Sequence, residues 1–169
     1  MIGKAMQEAM NEQVNKEFFS SYLYLSMAAY FEDKNLTGFA HWMRLQADEE
    51  REHAMKFYNY IIDAGGQVKL QAIDAPETEW KSNLQVAEQV AEHEAKVTVS
   101  IHNLYEIALK EKDYAAQVML QWFISEQVEE EKNAQELVAK LKLIEERGTA
   151  VLMLDHRLSK RGGEAGEEE

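Results

Sequence analysis

Four long stretches of the chain repeat apolar residues in steps of three and four, the period of an α-helix with one buried face. The first spans roughly residues 4–33, with an inward stripe of Met10, Val14, Glu17, Ser21, Tyr24, Ala28 and Phe31. Asn35-Leu36-Thr37-Gly38 interrupts it, and Thr37 is placed to cap the next helix. The second helix is predicted over roughly 38–64, on the stripe Phe39, Met43, Gln46, Glu50, His53, Phe57 and Ile61, with Gly65-Gly66 as its stop. Residues 67–81 hold the single proline, Pro76, and no helical period. Ser82 and Gln85 make a Ser-x-x-Gln capping box at the head of a third helix, roughly 83–111. Its stripe is Leu84, Ala87, Ala91, Glu94, Thr98, Ile101, Tyr105 and Ala108. Asp113 can cap a fourth, roughly 114–146, on Ala116, Leu120, Phe123, Gln127, Glu130, Ala134, Leu137, Leu141 and Ile144, which Gly148 is expected to end. A short amphipathic helix follows at about 149–160, and the acidic, glycine-rich stretch 162–169 is expected to be disordered.

Connection lengths turn these elements into a topology. Helices one and two, and helices three and four, are joined by a few residues and must be antiparallel neighbours. The central connection of about fifteen residues can span ~50 Å, and a helix of this size is ~40 Å long. The connection can therefore run the length of the bundle and set helices two and three parallel. The expected fold is all-α: a four-helix bundle with one long crossover and a short fifth helix, as one domain over residues 1–161.

Composition narrows the chemistry. Of 169 residues, 31 are acidic and 18 are Lys or Arg, a formal charge of −13. Such a surface repels nucleic acid phosphates and anionic membranes and favours cations. The absence of Cys excludes disulfides, thiolate metal sites and Cys nucleophiles. No apolar run approaches the ~20 residues of a membrane span. Met1-Ile2-Gly3-Lys4 leads into mixed polar sequence rather than a signal peptide, so a cytoplasmic protein is expected.

The informative positions are those where the inward stripes fail. Glu17, Glu50 with His53, Glu94, and Gln127 with Glu130 put charged or amide groups near the middle of four separate helices. Counted from the turns at ~1.5 Å per residue, all six fall within about one helical turn of one level. Four carboxylates cannot stay ionised and unpaired in a bundle interior, and no Lys or Arg lies on any stripe. A pair of divalent metals would balance them. Carboxylate oxygen with one imidazole suits Fe or Mn, and the Glu50-x-x-His53 spacing puts two ligands on one helix face. Taken singly, each of these residues has a plainer reading, as a helix-boundary Glu or a satisfied core His. Their coincidence in height on four helices carries the metal reading.

The sequence resembles the ferritins, specifically the non-haem ferritins of bacteria and archaea, over about residues 5–160. The carriers are Tyr22-Leu23-Tyr24-Leu25 after Glu17, Glu49-Glu50-Arg51-Glu52-His53-Ala54, His93-Glu94, and Leu120-Gln121-Trp122-Phe123-Ile124-Ser125-Glu126-Gln127-Val128-Glu129-Glu130-Glu131. Ferritin-like dimetal bundles often carry a second Glu-x-x-His on the fourth helix; Gln127-x-x-Glu130 replaces it here, as in the ferritin branch. Arg51 stands where bacterioferritins have a haem-ligating Met, so no haem is expected.

The resemblance implies iron storage and a ferroxidase reaction, in which Fe²⁺ is oxidised by O₂ or H₂O₂ at a dinuclear centre. One iron would be held by Glu17, Glu50 and His53, and the other by Glu50, Glu94 and Glu130, with Glu50 bridging. Gln127 would be a near neighbour, Tyr24 would orient a carboxylate, and Trp122 would be a redox neighbour. Glu49, Glu126 and Glu129 would form a third iron site sharing Glu130. The ferric product would be kept inside a shell of 24 identical subunits, with residues 149–160 resembling the helix that lines a symmetry axis. Two other readings use the same bundle: a dimetal oxygenase or peroxidase with an organic substrate, and a metal-free acidic interaction protein.

Overall fold

A computed structural model describes residues 1–145 and 147–162, so the acidic tail beyond Gly162 lies outside the described residues. The helices are α1 (Lys4–Asp33), α2 (Thr37–Asp63), α3 (Asn83–Glu111), α4 (Tyr114–Ile144) and α5 (Gly148–Leu158). α1 pairs chiefly with α2, α3 with α4, and α5 lies on α2. Gln13 of α1 meets Ser100 of α3 while Ser20 meets His93, so α1 and α3 are antiparallel. Gln46 meets Glu130 and Phe57 meets Phe123, so α2 and α4 are antiparallel too. It follows that α2 and α3 run parallel, as the connection lengths required.

The crossover is laid along α1 by polar side chains of that helix. Gln7 Oε1 accepts the Gln67 N–H at 2.8 Å, and Asn11 accepts from Lys69 N–H at 2.6 Å while donating to the Gln67 carbonyl at 3.0 Å. Further along, the Ser26 hydroxyl donates to the Glu77 carbonyl, and the Trp80 indole N–H donates to Gln89 of α3. The loop thus satisfies part of its backbone against the side chains of α1.

Helix ends show which local signals hold. Gly65 takes φ +75°, Gly66 N–H reaches the Ile61 carbonyl at 2.7 Å, and Gly65 N–H reaches Ile62 at 2.9 Å. These two bonds close α2 in a Schellman motif. Ser82 accepts the Gln85 N–H at 3.0 Å, but Gln85 reaches back to the Lys81 N–H rather than to Ser82. Asp113 accepts the Ala116 N–H at 3.0 Å, as expected. Two expectations need correction. Thr37 does not cap α2; it is the first helical residue, and Asp155 of α5 supplies the acceptor instead. Gly148 does not end α4; Glu145 does so in the left-handed region, at φ +48°, and Gly148 opens α5.

The apolar interior is two blocks rather than one. The first gathers Leu23, Met27, Phe31, Phe39, Met43, Val86, Val90, Leu137 and Leu141, with the Phe31 and Phe39 rings stacked at 4.8 Å. The second gathers Met6, Met10, Phe57, Ile61, Ile101, Leu104, Leu120 and Phe123, with Phe57 and Phe123 stacked at 4.2 Å. The stripes of α2 and α4 are buried almost as the pattern predicts. On α3 the buried line is rotated: Val86, Val90, Val97 and Leu104 are buried, whereas Leu84, Ala91, Thr98 and Tyr105 are half-buried. Between the blocks lies a layer of buried polar side chains.

Candidate metal centre

That layer holds the residues at which the stripes fail. Glu17 and Glu94 are fully buried, Glu50 is 1% exposed, and Gln127, His53 and Glu130 are 2–4% exposed. Gln13, Ser20, Gln46 and Tyr24 are buried with them. They arrive from all four long helices, whose registers the apolar blocks above and below fix.

Glu17, Glu50 and His53 bring one ligand atom each to within 4.8 Å of one another. His53 Nδ1 stands 3.6 Å from Glu50 Oε2. Glu94 and Glu130 approach Glu50 closely enough to disfavour its ionisation but do not join that cluster.

Three of the four carboxylates are held by a donor. Gln13 Nε2 donates to Glu17 Oε1 at 2.8 Å, and Gln46 Nε2 donates to Glu130 Oε2 at 2.8 Å. Glu94 receives the Tyr24 hydroxyl and Gln127 Nε2, the latter at 3.2 Å. Gln127 also donates to Thr98 Oγ1 at 3.2 Å. Glu50 differs: no amide or hydroxyl donates to either of its buried oxygens, nor to Glu17 Oε2, and the Glu17 and Glu50 carboxyls face one another. Unpartnered carboxylate oxygens this deep are costly, and they point to a cation as the missing partner.

Electrostatics agree. Burial, reinforced by Glu50, holds the Glu17 carboxyl well above its ordinary range, and burial with Glu94 does the same for Glu50. Glu94 is raised by burial against the opposing pull of Tyr24 and Gln127. Burial and Glu94 push Glu130 up to about 7. The Tyr24 phenol is raised by burial and by Glu94. Without a cation, the carboxyls favour their protonated forms; a divalent ion reverses that preference. The donor set, oxygen with one imidazole, fits Fe²⁺.

The remaining expected residues are placed less tightly. The Trp122 ring is 5.4 Å from the His53 ring, partly exposed, with Lys56 Nζ 3.4 Å over its face. Glu49 and Glu126 are half-buried and near enough to repel one another, and Glu129 is exposed. Among the described residues these three do not draw together as Glu17, Glu50 and His53 do. Arg161, beyond the end of α5, reaches Glu49 Oε2 at 3.2 Å and also donates to Gln46. Sequence reading found no cation near the stripes and missed this one, because it comes from a distant segment with no helical register to α2. It also missed Gln13, whose amide is oriented by Ser100 Oγ at 2.6 Å.

Antiparallel helix pairs joined by a full-length crossover, around a buried layer of carboxylates and one imidazole, define a ferritin-like bundle. Comparison with known proteins agrees. The ferritin-like domain model matches residues 7–144. The bacterial non-heme ferritin of Bacteroides fragilis is 45% identical over 161 residues, covering 95% of this chain and 100% of that protein. That of Staphylococcus aureus is 38% identical over 161 residues, covering 95% and 97%. An open pore ferritin from the archaeon Archaeoglobus fulgidus superimposes with a TM-score of 0.94 at 50% identity, covering 95% of this chain and 99% of that one. The chain belongs to the ferritin family, in its non-haem bacterial and archaeal branch.

Proposed function

We propose that this ferritin takes up Fe²⁺ as substrate between Glu17, Glu50, His53, Glu94 and Glu130, oxidises it, and stores the ferric product in a shell of 24 subunits. The observation that carries the reading is Glu50, whose two buried oxygens receive no amide or hydroxyl donor while the other three carboxylates each have one. A carboxylate left free on both oxygens is suited to bridge two cations. Gln13, Gln46 and Tyr24 occupy one oxygen of Glu17, Glu130 and Glu94 and aim the carboxyl groups.

Entry of Fe²⁺ displaces the protons that burial keeps on these carboxyls, and the protons leave to solvent. Two Fe²⁺ then give up one electron each. O₂ takes both electrons with two protons and leaves as H₂O₂; where H₂O₂ is the oxidant, two electrons and two protons convert it to two waters. The anionic oxygens favour Fe³⁺ over Fe²⁺ by charge, which adds driving force. The Tyr24 hydroxyl donates to Glu94, which places that phenol to steady the carboxylate during the change of charge. Glu49, Glu126 and Glu129 are proposed as a third, more exposed iron site beside Glu130.

Size-exclusion mass combined with Fe²⁺ oxidation under air tests the reading. The expected result is a particle of about 470 kDa, the mass of twenty-four 19.5 kDa chains, that retains ferric iron. A monomer or dimer with no oxidation above buffer would overturn it.

A further inference from the structure

The outer flank of the metal layer already carries a cation. Arg161 follows α5 by three residues and is fixed at four points along one side of α2. Its carbonyl oxygen is 2.9 Å from His41 Nε2, and its guanidinium carbon lies 5.0 Å from the Trp42 ring centre. One guanidinium nitrogen donates to Gln46 Oε1. The other stands 3.2 Å from Glu49 Oε2 and 3.4 Å from Glu49 Oε1. Positions 42, 46 and 49 succeed one another at helical spacing, so the guanidinium bridges one flank of α2.

This contact reaches the centre through one side chain. An amide that accepts from Arg161 through Oε1 must point Nε2 the other way, and Gln46 Nε2 donates to Glu130 Oε2 at 2.8 Å. Arg161 thereby engages Glu49 directly and Glu130 through Gln46. The hold depends on α5 being docked, since Val151 and Leu154 are buried and Asp155 caps the first turn of α2.

We propose that Arg161 is a tethered cation that keeps the Glu49 flank of the centre closed, so that a metal entering there must displace it and loosen the end of α5. Arg161 is a positioning residue: it touches neither Glu17, Glu50 nor His53, and acts on Glu130 through Gln46. The inference rests on Glu130 belonging to the iron-binding set. It makes the local charge self-consistent, because the guanidinium neutralises Glu49 until an ion of higher charge replaces it.

The test uses the assembled protein stripped of metal and titrated with Zn²⁺, which cannot be oxidised. Calorimetry should resolve a tight class at the buried residues and a weaker class on the outer flank. Arg161→Ala should tighten the weaker class by up to about fivefold, the upper weight of one partly exposed ion pair, and shift the tight class by less, since it reaches that class only through Gln46 and Glu130. Adding Glu49→Gln should cancel that gain, and Arg161→Lys should fall between. In the wild type, filling the weaker class should speed hydrogen exchange over residues 148–161. Unchanged weak-class affinity in Arg161→Ala, or exchange that ignores Zn²⁺, overturns the proposal. If Arg161→Ala fails to assemble, the wild-type exchange measurement decides alone. A wild type with no tight class would instead overturn the reading of the centre.

Discussion

Asp155 Oδ1 accepts the Phe39 N–H at 2.9 Å, so a residue of α5 caps the first turn of α2 from 116 positions away. Gly38 permits the approach: a Cβ there would stand 1.7 Å from the Asp155 carbonyl oxygen. Asp155→Ala should cost about 1 kcal/mol, the usual weight of a lost N-cap. Gly38→Ala should cost more, because α5 must shift as a body. Urea midpoints at fixed protein concentration check both, and midpoints equal to wild type would show that α5 docking contributes nothing.

Glu50→Ala should abolish fast iron oxidation, lowering the initial rate more than ~10-fold, while helical content is kept. Glu50 is the carboxylate that receives no amide or hydroxyl donor on either oxygen, and its removal also relieves the desolvation of a buried carboxyl. Stopped-flow absorbance after mixing with Fe²⁺ and air measures the rate. An unchanged rate would sink the bridging role.

His53→Ala should weaken the site shared with Glu17 more than the one beside Glu94 and Glu130. His53 is the single nitrogen donor of the proposed set, and it lies in the tight cluster with Glu17 and Glu50. Anaerobic titration should lose about one tight Fe²⁺ per subunit, since one imidazole serves one ion. Retention of both would make His53 a packing residue against Trp122 and Phe123.

The metal-free protein should lose stability as pH rises. Glu17, Glu50, Glu94 and Glu130 all have raised folded-state pKa values, so the folded state binds more protons than the unfolded one. Their contribution is full below about pH 4.5, the unfolded carboxyl range, and Glu130's is lost as pH passes about 7. Glu130→Gln should remove on the order of 3 kcal/mol of this pH dependence. Thermal unfolding in chelator from pH 5 to 8 measures it, and Zn²⁺ should restore stability at the alkaline end. A melting temperature that rises over that range in chelator would contradict the sign.

The triple change Glu49→Ala, Glu126→Ala, Glu129→Ala should spare the two-iron reaction and shift the Fe²⁺:O₂ ratio or the recovery between additions. Oxygen-electrode titration reads both quantities. Values identical to wild type, with no metal lost from an iron-soaked crystal, would remove the third site.

Much of this molecule is written in its local pattern. The 3.6-residue period placed all four long helices, and the connection lengths set their directions, because both depend only on neighbours in sequence. The heights of Glu17, Glu50, His53, Glu94, Gln127 and Glu130 were legible for the same reason: rise per residue is constant along a helix. Tertiary structure decided which carboxylate goes without a donor. Gln46 stands on the stripe of α2 and Gln13 off that of α1, and the pattern assigns neither a role; Ser100 and Arg161 turn their amides toward Glu17 and Glu130. It also decided that Asp155 rather than Thr37 caps α2, that α3 turns Val90 and Val97 inward, and that a guanidinium lies beside Glu49. Each of these joins residues far apart in the chain, and no periodicity encodes them. They follow from close packing, which fixes a helix's rotation and brings the end of one segment against the flank of another.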